Sequence, residues 1–147
     1  MKRTLITAVA VATVAALATG SASARVSRTT LKLHKTDVGT ILVNGRGFTL
    51  YAFTKDRRNR DNCAKISGCP GTWPVVSGAR RPILGPGVKR SLVGTITLKD
   101  GAKQLTYGGH PLYTYVGDSG PGQTFYVNFP QFGGRWPAVN AAGQEVK

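Results

Sequence analysis

The stretch that decides the fold occurs twice, as LYAFTKD at residues 50–56 and as LYTYVGD at residues 112–118. Each copy has an aromatic residue at its second and fourth positions and an aspartate at its seventh. Because side chains alternate across a β-strand, Tyr51 and Phe53 share one face and the residues between them share the other. Each copy is therefore predicted to be a strand with a paired aromatic surface, ending where the aspartate enters a turn.

Two further landmarks recur in the same order. WPVV at residues 73–76 returns as WPAV at 136–139, and VGTI at 38–41 returns unchanged at 93–96. Landmarks repeated in one order predict a duplication, with repeats at 38–76 and 93–139 joined by a linker at 77–92. The motif residues are Tyr51, Phe53, Asp56 and Trp73 in the first repeat, and Tyr113, Tyr115, Asp118 and Trp136 in the second.

Turn signals set the internal plan of each repeat. Asn44 and Gly45 form the dipeptide most typical of a tight β-hairpin, directly before the first motif strand. The second repeat is longer at the corresponding place, where residues 100–111 read DGAKQLTYGGHP between turn dipeptides. This segment is predicted to be an added strand.

The composition favours an all-β chain. It contains 19 glycines and 8 prolines, which would interrupt most helices. A single hairpin cannot bury its apolar face alone. The sequence therefore predicts two related antiparallel β-meander repeats, packed as one small sandwich or barrel within a single domain at residues 38–147.

The amino-terminal residues have the pattern of a secretory signal peptide. Lys2 and Arg3 precede an apolar run, and Ala22-Ser23-Ala24 matches a signal peptidase site. Residues 1–24 are therefore predicted to be removed, and residues 25–37 to form a loosely held arm or an edge strand. No second long apolar run follows, so we expect a secreted chain without a transmembrane span, in the extracellular space, cell wall or periplasm.

The charge limits the partners. With 20 Lys and Arg against 6 Asp and Glu, the formal net charge is +14. Such a charge favours anionic envelope polymers or polysaccharide, although it can also serve solubility alone. Nucleic acid is disfavoured, because no binding module is recognisable in an exported chain. The candidate anion-binding residues all lie in predicted loops: Lys55, Arg57, Arg58, Arg60, Arg80, Arg81, Lys89 and Arg90.

The two cysteines, Cys63 and Cys69, are predicted to form a disulfide, because an exported chain with one close pair normally oxidises it. A metal site and a redox-active thiol pair are the alternatives. Zinc would need two more ligands, and the only histidines are His34 and His110. We therefore predict neither a metal site nor a cofactor.

These features resemble a known family. LYAFTKD followed by a cysteine pair and WP, then GHPLYTYVGD, is similar to the bacterial secreted repeats of predicted lipoproteins with the motif Y-x-(F/W/Y)-x-x-D. The resemblance implies export, tandem repeats and no established activity. Two features depart from it: a lipobox cysteine is absent, and five residues separate Cys63 from Cys69. The family motif falls on Tyr51, Phe53 and Asp56, then on Tyr113, Tyr115 and Asp118.

No catalytic constellation is recognisable. A nucleophilic triad, a phosphate loop and a metalloprotease motif are all missing from the sequence. Asp56 and Asp118 could act as a glycosidase pair, with the aromatics as a sugar-stacking platform, but Lys55, Arg57 and Arg58 should keep Asp56 ionised. We predict a non-enzymatic binding or structural module with core aromatics. The alternatives are a carbohydrate-active enzyme using Asp56 and Asp118, or a redox or metal-binding envelope protein.

Overall fold

Runs of β-branched and aromatic residues between glycine-rich turns form short strands in the computed structural model, which describes residues 29–78 and 81–146. The predicted signal peptide lies outside the described residues. The strands are β1 (Thr30–Thr36), β2 (Gly39–Asn44), β3 (Ile83–Leu84), β4 (Val93–Thr97), β5 (Lys103–Tyr107), β6 (His110–Pro111), β7 (Phe129–Gln131) and β8 (Gly134–Trp136). One short α-helix, α1 (Cys69–Thr72), and two 3-10 helices, Cys63–Lys65 and Arg90–Leu92, accompany them. The all-β prediction is confirmed.

The strands form three small sheets. Their orders are β2-β1-β3, β4-β5-β6 and β7-β8. All neighbours are antiparallel except β1 and β3, which run parallel and so depart from the predicted meander. Within the described residues the sheets do not close into a sandwich or barrel. They are joined instead by isolated bridges between the repeats.

Strand β1 corrects the prediction of an arm or edge strand at residues 25–37. It is the central strand of its sheet, paired with β2 on one side and β3 on the other. Leu31 is fully buried, and Leu33 packs against the same aliphatic core. Because these leucines alternate with polar residues, one face of β1 contributes to the core while the other meets solvent.

The linker predicted at residues 77–92 contains regular structure within its described residues 81–92. It supplies β3, which pairs with β1, and the 3-10 helix Arg90–Leu92. Leu84 and Val88 pack against the aliphatic core from this segment. The apolar residues of the linker therefore hold it on the domain surface.

The two repeats meet at their motif tyrosines. The backbone N–H of Tyr51 donates to the carbonyl of Tyr113 at 2.9 Å, and the reverse bond measures 3.0 Å. On either side, the N–H of Ala52 donates to Pro137 and that of Thr114 donates to Pro74, both at 2.9 Å. Each Trp-Pro segment therefore pairs with the motif strand of the other repeat.

Two further backbone hydrogen bonds between the repeats show which strands correspond. The N–H of Leu42 in β2 donates to Val139 at 2.8 Å, and that of Leu105 in β5 donates to Val76 at 2.9 Å. Since β2 and β5 are equivalent, β1 is the counterpart of β4. The prediction of an added strand is therefore wrong: the matching strand of the first repeat lies upstream, and the two VGTI tetrapeptides occupy different positions.

Two cores lie on opposite faces of the motif strands. Leu50, Ala52 and Leu112 belong to an aliphatic core, whereas Tyr51 and Tyr113 belong to an aromatic one. This division agrees with the alternation in LYAFTKD and LYTYVGD. The aromatic core also contains the disulfide, so the motif, the Trp-Pro segments and the cysteine loop converge on one side of the domain.

Candidate functional site

The motif tyrosines and aspartates pair across the repeats. The hydroxyl of Tyr51 donates to Asp118, with 3.1 Å to Oδ2 and 3.3 Å to Oδ1. The hydroxyl of Tyr113 donates to Asp56 Oδ2 at 2.7 Å. The tyrosine of each repeat therefore binds the aspartate of the other.

Local turns place both carboxylates. The N–H of Asp56 donates to Phe53, and Asp56 Oδ1 accepts the N–H of Asn62 at 2.7 Å. Arg57 and Arg58 follow Asp56 along the chain but make no ion pair with it. The described residues contain no Lys or Arg ion pair with a carboxylate.

The carboxylate of Asp118 has a tertiary partner. In its own turn the N–H of Ser119 donates to Gln123 rather than to Asp118. Asp118 is only 8% exposed and accepts the hydroxyl of Tyr51 from the other repeat.

Burial changes the acid strength of these groups. Desolvation raises the pKa of Asp56 to about 7 and that of Asp118 to about 6, although the tyrosine hydrogen bonds act in the opposite direction. Burial and the facing carboxylates also raise the pKa of Tyr51 and Tyr113. The prediction that neighbouring cations keep Asp56 ionised is wrong, because desolvation is the larger effect.

A stack of four aromatic rings lies beside the tyrosine–aspartate pairs. The rings of Trp73 and Trp136 are parallel, with centroids 4.0 Å apart. Phe53 stacks on Trp136 at 4.2 Å, and Tyr115 lies against Trp73 at 4.3 Å. Since both tryptophans and Phe53 are buried, their faces contact one another rather than a ligand. This geometry supports the core role over the sugar-stacking platform.

The predicted disulfide between Cys63 and Cys69 is confirmed, with Cα atoms 5.4 Å apart. Both cysteines are buried beside the aromatic core. The bonded thiols are not available as metal ligands, and His110 lies 3.7 Å from Glu145. Within residues 29–78 and 81–146, no three His, Cys, Asp or Glu side chains converge in a way that could hold a metal ion.

The charged residues separate by depth. Every lysine and arginine among the described residues is exposed. Four of the six acidic residues, Asp56, Asp61, Asp118 and Glu145, are instead buried or half-buried. The predicted anion-binding residues that the structure describes are all on the surface: Lys55, Arg57, Arg58, Arg60, Arg81, Lys89 and Arg90. Arg80 lies outside the described residues.

Two of the basic segments meet at the turn Gly108–Gly109. Arg58 Nη1 donates to the carbonyl of Gly108 at 3.1 Å, and the N–H of Gly108 donates to Leu92 at 2.8 Å. Gly109 has a φ of 89°, and a Cβ there would lie 2.7 Å from Arg58 Cγ. The turn, here called the glycine junction, thus joins residues 55–60 to the segment that carries Lys89 and Arg90. Arg81 lies elsewhere, next to β3.

The sequence did not single out Asp61 or Gln104. Asp61 is 8% exposed and Gln104 is fully buried, and each has one side-chain oxygen without a hydrogen-bond partner. The only sequence signal for Asp61 was an acid within the basic run KDRRNRDN, which is ambiguous in a loop. Gln104 stands in a strand with no distinguishing pattern.

A family model matches two segments of the chain. The family model Lipoprotein_15, described as a secreted repeat of unknown function, matches residues 32–77 and again residues 94–140. The matches start 62 positions apart (94 − 32), as do Tyr51 and Tyr113 (113 − 51), so they follow the strand equivalence seen in the structure. No curated protein and no solved structure matches the chain. None of the helices in the described part of the chain has the length and apolar character of a membrane span.

Proposed function

The chain belongs to the family of secreted repeats of unknown function, and on that premise we propose that it is a non-enzymatic module that associates with anionic polymers of the cell envelope or extracellular space. The observation that carries the proposal is the separation of charge by depth. The described lysines and arginines lie on the surface, whereas the motif aspartates are covered by the domain: Asp56 is half-buried and Asp118 is buried.

This arrangement strengthens the external positive field. A buried aspartate with a raised pKa contributes less negative charge at neutral pH than an exposed one. The exposed cations of the described residues make no ion pairs with carboxylates, so they can meet the charges of a polymer without first breaking an ion pair. Association of this kind weakens with salt, since the Debye length is about 10 Å at 0.1 M.

The glycine junction is the proposed contact surface. It brings Arg57 and Arg58 next to the segment with Lys89 and Arg90, although about thirty residues separate them along the chain. A polymer with regularly spaced charges can then engage both segments at once. We expect the two segments together to bind such a polymer more tightly than either segment alone would.

Salt elution from a sulfated-polysaccharide matrix tests the proposal. The full chain should be retained at low ionic strength and released by added salt, and flow-through at low ionic strength would overturn association with polyanions. The variant R57A/K89A/R90A should elute at lower salt than the matched variant K35A/R46A/K103A, which removes the same charge away from the junction. Equal elution of the two variants would show that net charge acts without a contact surface.

One observation favours a second candidate, a carbohydrate-active enzyme. The pKa of Asp56, raised to about 7, suits a general acid, and a cavity of about 170 Å³ at Asp56 is also lined by His110 and Glu145. Asp118 does not line that cavity. If this candidate holds, the wild-type chain should cleave acidic polysaccharide and D56N should abolish the cleavage. Absence of cleavage by the wild type excludes this candidate for the polysaccharide tested.

A further inference from the structure

A cleft of about 900 Å³ separates the disulfide loop of the first repeat from the β4–β5 hairpin of the second. Cys63 and Val75 line one wall, and Ile96 and Leu98 line the other. The cleft belongs to neither the tyrosine–aspartate pairs nor the glycine junction. It is formed only when the two repeats come together.

The pseudo-equivalent place in the other half of the domain is closed. There, Thr124 Oγ1 donates to Asp37 Oδ1 at 2.8 Å, which bonds a loop of the second repeat to the β1–β2 hairpin. Thr49 Oγ1 adds a bond to the carbonyl of Gln123 at 2.6 Å. These contacts fill the space between hairpin and loop.

Two departures from symmetry open the cleft. In the β1–β2 hairpin, two residues separate Thr36 from its partner Gly39. In the β4–β5 hairpin, residues 98–102 separate Thr97 from its partner Lys103, so this turn is longer. The facing loop is tied to itself, since Asn62 Nδ2 donates to the carbonyl of Lys55 and the disulfide closes the next turn. The loop therefore does not reach across to the hairpin.

The walls of the cleft combine an apolar surface with cations. Pro70, Pro74, Val75 and Ile96 offer aliphatic surface. The lining also includes three exposed cations, Arg60, Lys65 and Lys99, against one exposed carboxylate, Asp100. Such a combination suits a ligand with one apolar face and an anionic group at its edge.

Asp61 adds a requirement for a hydrogen-bond donor. It lines the cleft, and its Oδ1 accepts the N–H of Ala64 at 2.9 Å. Its Oδ2 is buried and has no partner among the described residues. An unpaired buried carboxylate oxygen is costly, so a donor that enters beside it would recover free energy.

We propose that the cleft binds one acidic sugar unit, a uronate, of an anionic polysaccharide. The apolar face of the ring packs on the prolines, Val75 and Ile96, a ring hydroxyl donates to Asp61, and the carboxylate meets Arg60 or Lys99. A simple anion lacks the apolar face, and a fatty acid lacks the hydroxyl. The inference rests on the proposed function, because it names the class of polymer.

Titration of the full chain with short galacturonate oligomers, followed by calorimetry and by amide chemical shifts, tests this proposal. Binding should shift the amides of residues 60–65 and 96–100. Methyl-esterified oligomers, which keep the ring and lose the charge, should bind about tenfold more weakly. Equal affinity for the ester, or shifts confined to residues outside the cleft, would overturn the proposal.

Two variants separate the cleft from the general charge. R60A/K99A should bind galacturonate about tenfold more weakly, while K35A/R46A, with the same loss of charge away from both the cleft and the glycine junction, should bind as the wild type does. I96W narrows the cleft at its apolar wall, leaves every cation in place and should weaken oligomer binding. Unchanged binding by R60A/K99A or I96W, each verified as folded by its amide spectrum, contradicts the cleft as the site.

The matrix experiment distinguishes a failure of the cleft proposal from a failure of the proposed function. If the chain is retained by the sulfated matrix but does not bind galacturonate, the cleft proposal fails and the proposed function stands. If the chain passes through the matrix but binds the oligomers in the cleft, the surface contact fails and the chain is a sugar-binding module. If it does neither, both proposals are overturned.

Discussion

Tyr51 and Asp118 belong to different repeats and are joined by a 3.1 Å hydrogen bond, which the pair Tyr113 and Asp56 repeats in reverse at 2.7 Å. The two tyrosines also exchange backbone hydrogen bonds with each other. The repeated motif is thus the contact between the repeats. This explains why the same residues occur twice, since each copy supplies the partner that the other needs.

Removal of one hydroxyl tests this role. In Y113F, Asp56 loses the donor at Oδ2 in a half-buried setting, so the free energy of unfolding should fall by about 1–3 kcal/mol in urea denaturation. The control Y126F removes the hydroxyl of Tyr126, a half-buried tyrosine of the same aromatic region, and should change the free energy of unfolding by less than about 0.5 kcal/mol. A double-mutant cycle of Y113F with D56N should show strong coupling, and strictly additive losses would contradict the paired contact.

Stability should depend on pH through the two aspartates. Their folded pKa values, about 7 for Asp56 and about 6 for Asp118, lie above the ordinary value of 3.8. Each aspartate therefore contributes its full stabilisation below the pKa it has in the unfolded chain. That contribution is lost as the pH rises through its folded pKa. The free energy of unfolding of D56N/D118N, measured by denaturation from pH 4 to pH 8, should lack this decline. Identical pH profiles for the wild type and the variant would refute the assignment.

The disulfide should stabilise the chain by restricting the unfolded state. For so short a loop the contribution is about 2 kcal/mol, so C63S/C69S should unfold at lower denaturant than the wild type. Burial of both cysteines beside the aromatic core adds a packing loss to that estimate. Thiol titration of the intact chain under denaturing, non-reducing conditions should detect no free thiol. Two titratable thiols would contradict the bond.

The tryptophan stack should dominate the packing energy. W73A removes a fully buried ring that contacts Trp136, and we expect a loss of about 3–5 kcal/mol. Near-ultraviolet circular dichroism should lose the signal of the stacked pair in W73A and equally in W136A. F125A is the control, because Phe125 is 80% exposed and should leave both stability and spectrum unchanged. A W73A variant as stable as F125A would contradict the stack as the centre of the core.

The fold class, the disulfide and secretion could be predicted because each depends on short-range signals. Alternation in LYAFTKD assigns its faces, Asn44 and Gly45 form the turn, and the close cysteine pair oxidises in an exported chain. The central place of β1 could not be predicted in this way. Its pairing with β3 joins segments more than fifty residues apart, and no local pattern encodes such a contact.

For the candidate site, the sequence predicted the residues but not their contacts. The sequence by itself determined which rings and acids recur, because duplication is visible as repeated letters at matching spacing. Only the tertiary structure decided that Asp56 faces Tyr113 rather than Arg57, and that burial outweighs the neighbouring cations in setting its pKa. The physical reason is that desolvation depends on everything packed around a group, whereas sequence neighbours reveal only the charges beside it along the chain.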